Sequence, residues 1–363
     1  MTTEETSDQK AISSEEVALY DRQIRLWGME AQTRMRNSRV LIVNAGALAN
    51  EIIKNIVLAG IGSLTVLDSH VVTASDLGAQ FFINDDCIGK NVEAALPAIQ
   101  KLNPRVTVTA DTGSPLEKDA EWYSQFDVTL GTQLTYPEIE YINTHTSRST
   151  ISDSSHHLFY AASISGFYGY CFVDLGDNYN FTIQQERAIT GLPNPGPESR
   201  TRAIVSVTPA TSKEGNIITD TILKSEKYVP ISRLVVEPES STPISLGTLF
   251  EAKRRALKVS PLLLVVLAVF QLESKNKELT AGNIKTAALD YAQILKLPTE
   301  IVTDQAVETF LATKGAEISP VAAVLGGVVA QQILNAISRK QQPLQNLLVF
   351  DGVASTGPVY TVA

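Results

Sequence analysis

Val40-Leu41-Ile42-Val43-Asn44-Ala45-Gly46-Ala47-Leu48-Ala49-Asn50 is the stretch that decides the fold. Its four leading apolar residues predict a strand buried on both faces, and residues 51–58 after it predict a helix. A nucleotide-binding α/β fold carries several glycines at such a strand–turn–helix junction. They let backbone N–H groups approach phosphate oxygens at the helix N-terminus. Here only Gly46 is left, with Asn44, Ala47 and Ala49 placing β-carbons where that approach would be made. The turn reads as that of a nucleotide-binding fold that has given up its nucleotide, so the function is to be sought in partnership.

Outward from this turn, apolar runs alternate with helical sequence. Residues 63–67 predict a second strand ending at Asp68, residues 88–101 a helix, and residues 106–110, 126–130 and 158–163 further strands. Upstream, residues 15–37 predict one helix capped by Ser13 or Ser14, and residues 1–14 predict a disordered tail. The alternation predicts an α/β fold, doubly wound and Rossmann-like, on a mostly parallel sheet. A strand over 168–175 closes this first part, which spans 15–178. Residues 179–316 form an inserted segment: Pro- and Gly-rich loops with strand-like runs at 202–207 and 234–236, then helical sequence from 246 to about 311. Residues 317–363 return to the sheet with a helix opened by Ser319-Pro320 and a strand over 347–350.

Composition narrows the function classes. The chain has 363 residues, 44% of them hydrophobic, enough for a substantial core. With 30 basic and 39 acidic residues the net charge is −9, and no basic stripe with interleaved aromatics argues for nucleic acid. Lys253-Arg254-Arg255 reads as a solvated helix turn. Two cysteines, Cys87 and Cys171, exclude a disulfide scaffold and a CxxC zinc site, and the four histidines show no metal spacing. No membrane role is expected: the polar N-terminus reads as neither signal nor anchor, and the apolar run 262–270 is too short to cross a bilayer.

Six ordered motifs carry a resemblance. They are Tyr20-Asp21-Arg22-Gln23-Ile24-Arg25-Leu26-Trp27-Gly28, residues 55–62, Asp76-Leu77-Gly78-Ala79-Gln80-Phe81-Phe82, Leu102-Asn103-Pro104, Gly166-Phe167-Tyr168-Gly169-Tyr170 and residues 319–327. The chain resembles the ubiquitin-like activating enzymes, of ThiF/MoeB type, and within them the non-catalytic, Aos-type subunits that work with SUMO. The resemblance implies a heterodimer whose catalytic subunit binds Mg-ATP and the SUMO C-terminus, forms the adenylate and takes SUMO onto its own cysteine. It also implies a nuclear location. No cofactor and no metal is expected in this chain alone. The acid that follows the second strand in the active relatives has a counterpart in Asp68, but His70 stands for the second acid and Ala79 for the arginine of their Asn-Arg-Gln-Phe motif. Asn84-Asp85 occupies the region of their lysine, and Gly131-Thr132 falls where their magnesium-binding acid would be. Without those charges adenylation loses its electrostatic stabilisation.

The resemblance implies one functional side chain, Arg22, which would cross the interface to the partner's ATP phosphates as a forked cation. An interface or intrachain ion pair, with Asp21 or Glu30, is the alternative. Arg25 and Trp27 read as structural or interfacial, and Asp68 as structural. Gly326-Gly327 reads as a close helix approach, within the domain or across the dimer, or as a kink. Cys171 lies inside an apolar strand and Cys87 beside two acids, so neither is expected to form a thioester. The alternatives are the corresponding subunit of the Rub (neddylation) pathway, an NAD-dependent Rossmann dehydrogenase using Asp68, and a binding scaffold with no catalytic partner.

Overall fold

The computed structural model describes residues 13–149, 157–186, 193–209, 219–235 and 259–362. Val40 and Ile42 point into one apolar core and Leu41 and Val43 into another, as a strand covered on both faces requires. This strand, β1 (Arg39–Val43), lies inside an eight-stranded sheet. It is followed by β2 (Ser63–Leu67), β3 (Thr107–Asp111), β4 (Val128–Thr132), β5 (Leu158–Ser165) and β6 (Tyr168–Asp174). A second, antiparallel sheet contains β7 (Tyr179–Glu186), β8 (Gly196–Pro197), β9 (Arg202–Thr208) and β10 (Thr219–Glu226), in the order β7-β10-β9-β8. The chain then returns to the first sheet with β11 (Leu347–Asp351) and β12 (Val359–Tyr360), giving the order β12-β11-β6-β5-β4-β1-β2-β3. From β3 to β5 the strands are parallel, while β6, β11 and β12 pair antiparallel at the other edge.

The predicted N-terminal helix is three helices: α1 (Ser14–Leu19), α2 (Asp21–Trp27) and α3 (Met29–Asn37). Ser13 caps the first, exchanging hydrogen bonds with Glu16 in a capping box. Tyr20 and Gly28 break the run, Gly28 at φ 85°, a left-handed value that glycine adopts without a β-carbon clash. The helix after the decisive turn, α4 (Ala47–Leu58), begins at once behind Gly46, earlier than expected. The helix expected over 88–101 is confined to a 3-10 turn at Val92–Ala95 and α5 (Leu96–Leu102). Of the strand-like run 234–236, Leu234 ends a 3-10 turn (Ile231–Leu234) and Val236 lies outside the described residues, as do His156, Lys253-Arg254-Arg255 and residues 1–12 of the expected tail.

Helices cover both faces. α4, α5 and the helix Ser319–Ser338 cover one. On the other lie α6 (Ala120–Tyr123), α7 (Tyr136–His145) and the inserted helices Pro261–Ser274, Ala281–Ile294 and Asp304–Ala312. Thus β1, β2 and β3 are joined across one face, and β3, β4 and β5 across the other. The path changes sides between β1 and β4, leaving a crevice beyond their C-terminal ends where open α/β sheets bind ligands. The helix Ser319–Ser338 is long and apolar enough to cross a membrane, but 67% of its apolar window is buried. It packs along α4, and Gly326 makes this possible, since a β-carbon there would lie 2.7 Å from the Glu51 β-carbon. Gly327 has open space around it. The far end of the helix is capped by Arg34, which donates to the Ile337 and Ser338 carbonyls.

Candidate functional site

The β1/β4 crevice is where the fold would hold a nucleotide. Asn44 turns the chain out of β1 with φ 65° and donates its side-chain amide to the Thr132 carbonyl at 3.1 Å. Thr132 answers from β4 through its hydroxyl, which donates to the Asn44 carbonyl at 2.9 Å. The crevice is thereby laced shut at its floor. Asp68, at the end of β2, accepts the Ala45 N–H and the His70 N–H, both at 2.8 Å. A carboxylate that could have faced a ribose is committed to holding the turn.

The mouth of the crevice is filled by a residue that sequence reasoning missed. Glu317 comes from the segment before the helix Ser319–Ser338. Its carboxylate accepts the Ala47 N–H at 2.7 Å and the Leu48 N–H at 3.0 Å, both in the first turn of α4. A β-carbon on Gly46 would run into this carboxylate, so the one glycine left in the turn makes room for a side chain of the same protein. Burial pushes the Glu317 carboxyl above its usual range against the two N–H bonds, and the nearby Asp76 charge adds to the rise.

The remaining candidate positions agree with this closure. His70 Nε2 lies 2.9 Å from Asp76 Oδ2, and Thr73 donates to the same oxygen. Ala79 is half-buried against the α4-side core and presents no charge. Lys54 pairs with Glu51 and stands 5.3 Å over the Phe81 ring. At the position of the expected metal-binding acid, a β-carbon on Gly131 would collide with the Leu134 side chain, and Thr132 is buried. No group of three or more His, Cys, Asp or Glu able to hold a metal occurs among the described residues. The residues present do not fit Mg-ATP.

Arg22 is elsewhere. Tyr20, two residues before it, packs against Gly60 just past the C-terminal end of α4, whereas the crevice is at that helix's N-terminal end. The 12 residues of α4 separate the two ends by ~18 Å. Helix α2 buries none of its residues, and Arg22 is exposed. The intrachain partners considered for it are taken: Asp21 pairs with Arg25 at 3.0 Å, and Glu30 with Arg34 and Lys340. Trp27 is half-buried against the α4-side core, and its indole N–H has no partner among the described residues. Leu26 and Leu19, on α2 and α1, are 69% and 60% exposed. Cys171 is fully buried, and burial pushes its thiol up to about 12. Cys87 is buried too, its thiol donating to the Asn84 side chain at 3.2 Å.

The ThiF family model matches residues 20–362. The DNA damage tolerance protein RHC31 of Saccharomyces cerevisiae is 37% identical over 96% of this chain and 97% of its own length. SUMO-activating enzyme subunit 1 is 32% identical in Xenopus tropicalis, over 97% of both chains, and 31% identical in Homo sapiens, over 96% of this chain and 95% of its own. A solved structure, the crystal structure of SeMet PaaA, is alike in fold, with a TM-score of 0.53 at 13% identity over 100% of this chain and 78% of that one. The chain belongs to the ThiF family, on the branch of SUMO-activating enzyme subunit 1.

Proposed function

We propose that this chain is the non-catalytic subunit of a heterodimeric SUMO-activating enzyme. In this reading it docks onto a catalytic subunit that adenylates the SUMO C-terminus with ATP and carries SUMO as a thioester. The observation that carries the reading is the closed crevice: a ThiF-family domain whose phosphate-binding turn is occupied by its own Glu317 has no room for the nucleotide its fold was shaped for. The relatives' names supply the modifier and, through the words "subunit 1", a second subunit. Arg22 then acts in trans. It is exposed, with no ion pair among the described residues, on a helix with no buried residue, at the far end of the sheet from the chain's own crevice, and exposed Leu19 and Leu26 beside it suit a surface covered by a partner. The filled crevice counts against an NAD-dependent dehydrogenase.

The test is reconstitution. The chain alone should show no binding of Mg-ATP by calorimetry and no ATP–pyrophosphate exchange. Mixed with the catalytic subunit of a SUMO-activating enzyme it should form a one-to-one complex that exchanges pyrophosphate in the presence of SUMO. Low-micromolar ATP binding by the chain alone, about −8 kcal/mol, or failure to associate, would sink the reading. Association with the Rub-pathway catalytic subunit in preference to the SUMO one would transfer it to that pathway.

A further inference from the structure

We propose that the Glu317 carboxylate is the resident oxyanion of the β1/β4 crevice, a built-in occupant that takes the backbone donors a nucleotide phosphate would use. This goes beyond the loss of glycines. Lost glycines alone describe a site that binds badly; an internal carboxylate describes a site already filled. The reading of the chain as a SUMO-activating subunit is not needed for it.

Three observations converge. The first is the bond geometry: two consecutive N–H groups at the start of a 12-residue helix meet the two oxygens of one carboxylate, Ala47 to Oε2 and Leu48 to Oε1. Helix N-termini bind phosphate in this way, through free N–H groups and the positive end of the helix dipole. The second is Gly46, the surviving glycine of the turn, whose missing side chain is the space Glu317 uses. The third is how Glu317 is delivered. Thr313 donates its hydroxyl to the Ser165 carbonyl at 3.1 Å, and Gly166 donates its N–H to the Ala316 carbonyl at 2.8 Å. The segment is therefore strapped across the end of β5 immediately before it reaches the crevice. Glu317 has no ion pair among the described residues, and Lys54, the cation carried by α4, is paired with Glu51. The carboxylate is held by amide donors, as a phosphate would be.

The consequence is an oxyanion site that is latent rather than absent. Removing the carboxylate should reopen it to a small anion, while Ala47, Ala49 and Ala79 still keep ATP from binding tightly. The experiment uses the full chain with Glu317→Ala and reads thermal unfolding against inorganic phosphate, acetate and formate, with chloride at equal ionic strength as control. The variant is expected to unfold at lower temperature than the parent chain. Phosphate or a small carboxylate at tens of millimolar should restore about 2 °C or more to the variant and nothing to the parent. A variant as stable as the parent, or one destabilised without any response to these anions, overturns the proposal. Should the alanine variant fail to fold in every buffer, Glu317→Gln carries the test through amide hydrogen exchange at Ala47 and Leu48. Exchange about tenfold faster than in the parent is expected, because a neutral acceptor replaces a charged one; unchanged exchange overturns the proposal.

Discussion

The Asn103 side-chain amide donates to the Tyr20 hydroxyl at 2.8 Å and to the Val57 carbonyl at 2.9 Å, so one residue ties the start of α2 to the end of α4. Gly60 completes the socket, for a β-carbon there would press on the Tyr20 ring. Because α2 buries none of its own residues, this pin is a main determinant of where Arg22 stands. Asn103→Ala should cost about 1–3 kcal/mol, since it removes a buried donor to two acceptors. Urea unfolding of the chain measures that cost. In the heterodimer Tyr20→Phe should slow adenylation less than Arg22→Ala, and should add little to it in the double variant. Full additivity would show that Tyr20 acts independently of Arg22.

Arg22→Ala should leave the heterodimer assembled and slow adenylate formation by roughly 10²-fold, the scale of losing one charged donor to a closed phosphate site. Arg22→Lys should recover only part of this, because an ammonium lacks the fork geometry. Transfer from an adenylate already made should change much less. Pyrophosphate exchange measured beside subunit association decides the matter: exchange at the parent rate removes Arg22 from the reaction, and lost association makes it an interface residue.

Asp174 is fully buried and accepts five hydrogen bonds: from Arg148 Nη2 at 2.7 Å and Nε at 2.8 Å, from Asn143 and Ser147, and from the Gly176 N–H. Arg148 also donates to the Tyr228 carbonyl, linking α7's end to the segment behind β10. Arg148→Ala should destabilise by about 3–5 kcal/mol, since it strands a buried carboxylate. Arg148→Met with Asp174→Leu should cost less than the single change. Equal stability of the parent and the Arg148→Ala chain in urea would contradict the role given to this cluster.

His157 is buried beside β4, where its Nε2 meets the Thr129 hydroxyl at 3.2 Å. Burial, helped by the Arg39 charge and opposed by Asp127, lowers its pKa from 6.5 to about 4. The folded state holds the ring neutral while the unfolded chain protonates it. Stability from this group is complete above pH ~6.5 and declines as the pH falls toward ~4, by about 3 kcal/mol at most. His157→Gln should flatten the unfolding profile in that window. An unchanged slope between pH 6.5 and 4 would mean that other groups set it.

Cys87→Ser with Cys171→Ala should leave thioester formation by the heterodimer intact. The Cys171 thiol, buried in β6 and pushed up to about 12, is not a nucleophile at neutral pH. Its replacement should cost on the order of 1 kcal/mol in lost packing. Disappearance of the thioester in a folded double variant would place the catalytic cysteine here.

What the sequence disclosed follows the range of the interactions. Residues 40–43, apolar without interruption, could only be a strand covered on both sides, and the turn after them announced its lost glycines. The break at Gly28 is visible as a glycine, but the helical pattern resumes on both sides of it and so predicts one helix over 15–37. Glu317 was not legible: 270 positions separate it from Ala47. An acid just before Ser319-Pro320 reads as ordinary helix-opening sequence. The pin between Tyr20 and Asn103 spans 83 positions and joins two quoted motifs whose meeting only the tertiary structure displays. Gly326 and Gly327 look alike in sequence, yet only the first touches α4.

The return of β11 to β6 and of the helix Ser319–Ser338 to α4 has a bearing on how the protein is made. As the chain leaves the ribosome, β6 and the apolar flank of α4 emerge long before the segments that cover them. Through synthesis of the whole insertion the half-built sheet keeps its β6 edge open and the flank of α4 uncovered, a state prone to wrong pairing. Folding cannot be completed vectorially; it waits for residues 317–351, whose arrival seats Gly326 on Glu51 and brings Glu317 to its two amides in the same event.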